Sequence, residues 1–288
     1  MSDALLIWQF AMPIALAAVG EVIVQRSGVL NIGLEGTMLG GAFAAAYLAF
    51  TTGNPWLGLA GGIIVGVVVS LVQAWFVLRR SADQVVVGTA INLLALGVTG
   101  TLFRRVFGES GQLLSVPTIP KLDGVDAIMI ATPLLAVLAA IALRRMGWGL
   151  LIRASGEHPT AVEAEGYAVV RMRLGALSIG GALAGVAGAY LSVGIVGSFA
   201  ENMTQGRGFV AIALVTFGRW HPVLAVGAAL LMGALEWLQF KLQAQGSGEI
   251  PFQLLLALPY LAALAVLVIG AKGTRGPAAL GQPLRRDA

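Results

Sequence analysis

The sequence predicts an all-α, polytopic membrane protein of about nine membrane segments, some of them broken helices. Apolar residues make up 58% of the 288 and charged residues 11%, more apolar surface than a water-soluble fold buries. Several runs of about twenty residues lack Asp, Glu, Lys and Arg, the length of helix that crosses a hydrocarbon core about 30 Å thick. The basic residues, which leave a net charge of +4 and a pI near 9.8, sit singly or in pairs between those runs. That pattern orients helices and makes no groove for phosphates, so nucleic acid is not an expected partner.

In chain order the runs are Ala4 to Gly20, Gly36 to Trp56, Trp56 to Leu78, Gln84 to Phe103, Ala127 to Leu143, Leu174 to Ala200, Gly208 to Gly218, Trp220 to Leu235 and Ile250 to Ala271. Most are long enough to span, and Gly208 to Gly218 is short. The N-terminal residues MSDALLIWQF lack the basic region of a cleaved signal, so the first run is expected to stay as a span. Small residues recur at four-residue spacing at Gly36 and Gly40, Gly62 and Gly66, Gly181 and Gly185, and Ala184 and Gly188. Such spacing lets helix backbones approach where lipid gives no hydrophobic drive, so these residues are read as the frame.

The segment Arg144 to Arg173 is the exception, with five arginines, three glutamates and one of the two histidines. Connections in compact bundles usually run to roughly 2 to 8 residues, so this one is expected to be built for docking a soluble partner. Leu150, Leu151 and Ile152 suit the lipid interface while Arg153 reaches headgroups. Pro159 suits the first turn of a short helix to Glu165 that Gly166 terminates; a plain solvated loop is the other reading. Cytoplasmic loops are enriched in Lys and Arg. Placing this segment inside puts thirteen basic residues in and five out, with an outside N-terminus and an inside C-terminus. Residues 1–271 then form the transmembrane unit and 272–288 a short cytoplasmic tail, expected to be disordered.

Three further stretches carry candidate function. Gly28 to Gly36, GVLNIGLEG, makes a poor continuous helix. One reading is a turn with Asn31 and Glu35 capping the next helix. The other is a broken helix lining a pathway, where Asn31, Gly33 and Glu35 meet the solute. Asn92 places an amide in an apolar run and needs a partner in the bundle interior, as interhelical glue or as a solute contact. In Asn202 to Phe209, NMTQGRGF, Gly206 and Gly208 precede an apolar helix that begins near Phe209, a second candidate break.

Absences narrow the chemistry. There is no cysteine, and the two histidines stand sixty-three positions apart, so no metal motif or disulfide is expected. No phosphate-loop, HExxH or GxSxG motif is present, so no catalytic residue and no cofactor are expected. The acids inside the apolar runs, Glu21, Glu35 and Glu236, have no basic partner evident in the sequence. The chain therefore reads as a passive gate moved from elsewhere rather than an ion-coupled carrier.

Three blocks carry a resemblance: RSGVLNIGLEGTMLGGAF from Arg26, RASGEHPTAVEAEGYAVVRMR from Arg153 running into LGALSIGGALAGVAGAYLS, and GRGFVAIALVTFGRWHP from Gly206. With ADQVVVGTAINLLALG from Ala82 they span most of the chain. It resembles the permease subunits of bacterial ABC importers of the ribose, branched-chain amino acid and nucleoside type, and NIGLEG looks most like the nucleoside branch. The resemblance implies an inner-membrane importer of a nucleoside or related solute. The implied partners are an ABC ATPase on the cytoplasmic face, a second permease, expected to be a different chain, and an extracytoplasmic substrate-binding protein. The family's coupling helix maps onto Glu157, His158, Pro159, Thr160, Ala161, Glu163 and Gly166. Thr160, Ala161 and Val162 stand where the family commonly has Glu-Ala-Ala. Compared with many sugar permeases, one N-terminal span looks to be missing.

Overall fold

The computed structural model describes residues 2–107, 115–244 and 275–283, with single helical positions at 257, 261, 262, 264, 265 and 268. Ten α-helices follow in order: α1 Asp3–Arg26, α2 Leu34–Thr52, α3 Pro55–Ala74, α4 Gln84–Phe107, α5 Ala127–Arg145, α6 Gly147–Glu157, α7 Pro159–Ala164, α8 Val169–Ala189, α9 Arg207–Phe217 and α10 Pro222–Ala244. π-Helical turns extend α3 through Trp75–Arg79 and α8 through Tyr190–Val196. No strand occurs among the described residues.

Local chemistry sets the helix starts. The Asn54 side chain accepts from Trp56 N (2.9 Å) with Pro55 in the first turn of α3, and Asp83 Oδ1 accepts from Val85 and Val86 N at the start of α4. Asp126 accepts from Ile128 and Met129 N (both 3.0 Å) to open α5, while its other oxygen accepts from the Tyr190 hydroxyl (2.6 Å). Each oxygen satisfies amides that helix geometry leaves unpaired.

α1 is the hub. It is apolar on all sides, and almost every residue from Gln9 to Gln25 is buried against α10, α8, α9 and α5. Such a helix belongs inside a bundle rather than on its surface. α3 lies along α8 with glycine facing glycine: Cβ atoms on Gly66 and Gly185 would strike Gly181 O and Gly62 O. The four-residue spacing of Gly62 and Gly66 with Gly181 and Gly185 is therefore the α3–α8 contact, while Gly36 of α2 meets Asn92 of α4 and Gly188 of α8 sits against Met38 O of α2.

Six described helices are long and apolar enough to cross a membrane: α1, α3 with its π-turn, α4, α5, α8 with its π-turn, and α10. That is the number reached among the described residues, where the sequence suggested about nine in the whole chain. α2 has 19 residues but carries Glu35 in its first turn, and its N-terminal half is buried inside the bundle. α9, at 11 residues, is only about 16 Å long. The run Ile250 to Ala271 lies almost wholly outside the described residues.

Between α5 and α8 the chain departs from the expected interfacial loop. The structure adds α6, whose Ile152 is fully buried rather than lying at the lipid interface, while Leu150 stays exposed. The short helix starting at Pro159 is present, and Gly166 ends it in the left-handed region (φ +84°). Residues 275–283 were expected to be a loose end but pack against the same end of the bundle, with Ala279 buried.

Candidate functional site

The backbone between α1 and α2 is irregular from Ser27 to Gly33 and is buried except at half-buried Leu30 and Ile32. Side chains from neighbouring helices supply what it lacks. Gln84 Oε1 accepts from Leu30 N (2.7 Å), and Glu21 Oε1 accepts from Asn31 N (3.3 Å) and Gln25 Nε2 (2.9 Å). Asn92 holds both sides of the break: its Nδ2 donates to Ile32 O (2.9 Å) and its Oδ1 accepts from Gly36 N (2.8 Å). Each end of the Asn92 amide thus makes one bond across the break, as an interhelical tie does.

Asn31 behaves differently. It is fully buried, yet neither atom of its amide has a partner among the described residues. The same holds for both amide atoms of fully buried Gln73 and for Glu21 Oε2. Asn31 Oδ1 and Gln73 Oε1 both lie within 3.4 Å of the point a Cβ on Gly33 would occupy. Gly33 therefore stands beside a knot of unpaired polar atoms, the kind of place that ordered water or a polar solute satisfies.

Glu35 caps a helix, but not its own. Oε1 accepts from Gly206 N and Oε2 from Gly208 N, both at 2.7 Å, so the carboxylate of α2 closes the N-terminus of α9, where negative charge also suits the helix dipole. A Cβ on Gly208 would come within 2.8 Å of the Glu35 backbone and carboxylate, and Gly206 takes a left-handed φ of +82°. The two broken stretches are thus one site. Asn31, Gly33, Glu35, Asn92, Gly206 and Gly208 come together, while Phe209 points away and is half exposed. Glu236 is not without a partner, as the sequence suggested: Arg207 Nη2 meets its Oε2 at 3.2 Å, both side chains largely buried.

At the C-terminal end of α1 the hairpin α6–α7 touches the break directly. Ser155 Oγ donates to Ser27 O (3.3 Å), Gly156 abuts Arg26 O, and the buried Arg173 donates from Nη2 to Ser155 O (3.4 Å). Arg26 donates from Nε to Trp220 O (3.0 Å), and Trp220 Nε1 to Gln25 Oε1 (2.7 Å), which ties in the α9–α10 turn. Beside it, burial and the nearby Arg144 and Arg26 push the His221 imidazole below its ordinary range, favouring the neutral ring. Of the hairpin residues singled out from sequence, Glu157, His158, Thr160, Ala161, Glu163 and Gly166 are exposed and Pro159 is half-buried. Sequence reasoning missed Gln25, Gln73, Gln84, Ser155 and Arg173. The glutamines had a usable signal, polar amides bordering apolar runs.

The described residues thus form a helical bundle with two breaks that face each other. The chain belongs to the family described as the permease component of branched-chain amino acid transport systems, whose profile matches residues 4–271. It is 33% identical to the guanosine ABC transporter permease protein NupQ of Bacillus subtilis over 95% of this chain and 93% of that one. To the nucleoside ABC transporter permease protein NupC of Lactococcus lactis it is 31% identical over 90% and 89%. To the putative glucose ABC transporter permease protein TsgC13 of Haloferax volcanii it is 33% identical over 97% and 96%. It is a multi-pass membrane permease of the ABC transporter class.

Proposed function

We propose that this chain forms part of the translocation pathway of an ATP-driven nucleoside importer. An ATPase subunit docks on the exposed face of α6–α7 through Glu157, His158, Pro159, Thr160, Ala161, Glu163 and Gly166. A second, different permease chain completes the pathway, and an extracytoplasmic binding protein delivers the solute. The N-terminus lies outside, and the hairpin and residues 272–288 lie in the cytoplasm. The nucleoside assignment rests on the two bacterial relatives named for guanosine and nucleosides.

One observation carries the mechanism: a path of polar contacts and intervening backbone leads from the hairpin to the N-terminus of α9. It runs from Arg173 and Ser155 to Ser27, through the break to Ile32 and Gly36 held by Asn92, and on to Glu35 and the N-terminus of α9. Packed elements of this kind shift between discrete arrangements rather than deforming continuously. Displacing α7 moves the elbow and, through Glu35, the half-length helix α9. Asn31, Gly33 and Gln73 lie where that movement opens the polar knot to the solute. In vesicles holding the assembled complex, radiolabelled guanosine uptake requires internal ATP and survives collapse of the proton gradient; gradient dependence defeats the proposal. The relative named for glucose supports a sugar as the second reading, and competition by excess glucose but not by adenosine selects it.

A further inference from the structure

We infer that residues 275–283 are a strap that positions the α6–α7 hairpin on the α1–α2 break, and that this strap is needed to convert ATP hydrolysis into transport. The inference rests on the proposed docking of an ATPase at the hairpin. It goes beyond that reading by assigning a working role to the chain's last described segment.

Within three residues the strap bonds to both moving parts. Ala279 N donates to Gly156 O (2.8 Å) and Gly281 N donates to Gly28 O (3.3 Å). Gly156 O is among the last carbonyls of α6, which have no partner within their own helix, so the strap supplies what the hairpin lacks. One residue earlier, Ala278 N donates to Glu157 Oε2 (3.2 Å), and one residue later Gln282 O accepts from Gln84 Nε2 (3.3 Å). Gln84 is the side chain that holds Leu30 of the break through its other amide atom. At the front of the strap, a Cβ on Gly276 would sit 2.9 Å from the Trp220 ring. Four elements therefore meet on nine residues: the ends of α1 and α6, the start of α4 and the α9–α10 turn.

The fit is steric as well as polar. Gly28 and Gly156 face each other, with the Gly156 Cα 3.2 Å and Ala279 O 3.4 Å from a Cβ built on Gly28. Ala279 itself is 6% exposed, and its backbone N and O lie against Gly156 and Gly28. The direct hairpin-to-break bond from Ser155 Oγ to Ser27 O is 3.3 Å, and Arg173 of α8 meets the hairpin at 3.4 Å. The strap adds a bond of 2.8 Å to α6 and one of 3.3 Å to the break, and so ties the two together. The cavity of about 460 Å³ beside the hairpin is walled by Pro159, Thr160 and Glu163 on one side and by Ala279, Gln282 and Pro283 on the other. The strap thus flanks the face on which the ATPase is proposed to dock.

The test uses the assembled complex in proteoliposomes and reads solute taken up per ATP hydrolysed. Deleting residues 275–288, or replacing Ala279→Trp, leaves ATPase association and hydrolysis in place while uptake per ATP falls about tenfold, within the usual range for coupled sites. Ala279→Ser, which adds one small atom at this buried position, keeps the wild-type ratio. Because the chain has no cysteine, a Gln84→Cys, Gln282→Cys pair reports proximity through a short bifunctional maleimide. Cross-linking in membranes supports the strap independently of any ATPase. An unchanged ratio in Ala279→Trp, or no cross-link, overturns the inference; should the deletion not be recovered, those two measurements decide. Wild-type complex that takes up solute without ATP defeats the functional reading instead, and leaves the cross-link standing as a measure of the strap alone.

Discussion

Glu35 offers the sharpest test of how the two breaks are joined. Its carboxylate accepts from Gly206 N and Gly208 N at 2.7 Å while only 8% exposed. Hydrogen bonds to a charged group are each worth about 1.5–3 kcal/mol net, so Glu35→Ala removes about 3–6 kcal/mol that holds the start of α9. Glu35→Gln keeps one acceptor and turns a donor toward the other amide, costing about half of that. Hydrogen–deuterium exchange of the peptide covering 206–210, followed by mass spectrometry, reads the effect directly. A loss of about 3 kcal/mol accelerates local exchange roughly a hundredfold if opening is local. The remaining helices, α3 and α8 in particular, keep their protection. Unchanged exchange at 206–210 together with lost uptake would refute the clamp and make Glu35 a solute contact alone.

Other expectations follow from the same contacts. Asn92→Leu leaves Ile32 O and Gly36 N unpaired and lowers stability by about 2–4 kcal/mol, seen as a lower melting temperature of the purified complex; Asn92→Asp keeps the acceptor for Gly36 N and costs less. Gly66→Val drives a side chain into Gly181 O and costs at least about 1–3 kcal/mol, seen as reduced recovery of folded protein from membranes, whereas Gly97→Ala, where a Cβ meets open space, leaves recovery unchanged. Gly166→Pro cannot keep a φ of +84°, and with Glu163→Lys it separates ATP hydrolysis from uptake while the bundle stays folded; normal transport by both makes α7 a mere connector.

Much of the fold was legible because lipid imposes a coarse rule. Runs such as Gln84 to Phe103 and Ala127 to Leu143 had to be helices, and the glycine pairs at 62, 66, 181 and 185 had to lie at contacts. The breaks were legible for the converse reason, since glycine with Asn31 or Gln205 nearby cannot continue an apolar helix. What stayed hidden was pairing across the chain. Glu35 sits in the first turn of α2, where its own helix is the obvious client, and only the three-dimensional approach of α9 reveals Gly206 and Gly208 as its partners. Arg207 and Glu236 stand 29 positions apart on different helices, with no periodicity linking them. The tail around Ala279 reads as loose chain because its contacts use backbone atoms, which every sequence has.

The most direct measurement concerns which side of the membrane the hairpin occupies and what covers it. Thr160→Cys, on the exposed face of α7 in a chain with no native cysteine, reacts with a membrane-impermeant maleimide only where it meets water. The prediction is no labelling in intact cells, strong labelling in inside-out vesicles stripped of peripheral subunits, and protection when the ATPase is added back. Labelling from outside in intact cells, or full labelling with the ATPase bound, contradicts a hairpin that receives its drive from a cytoplasmic engine.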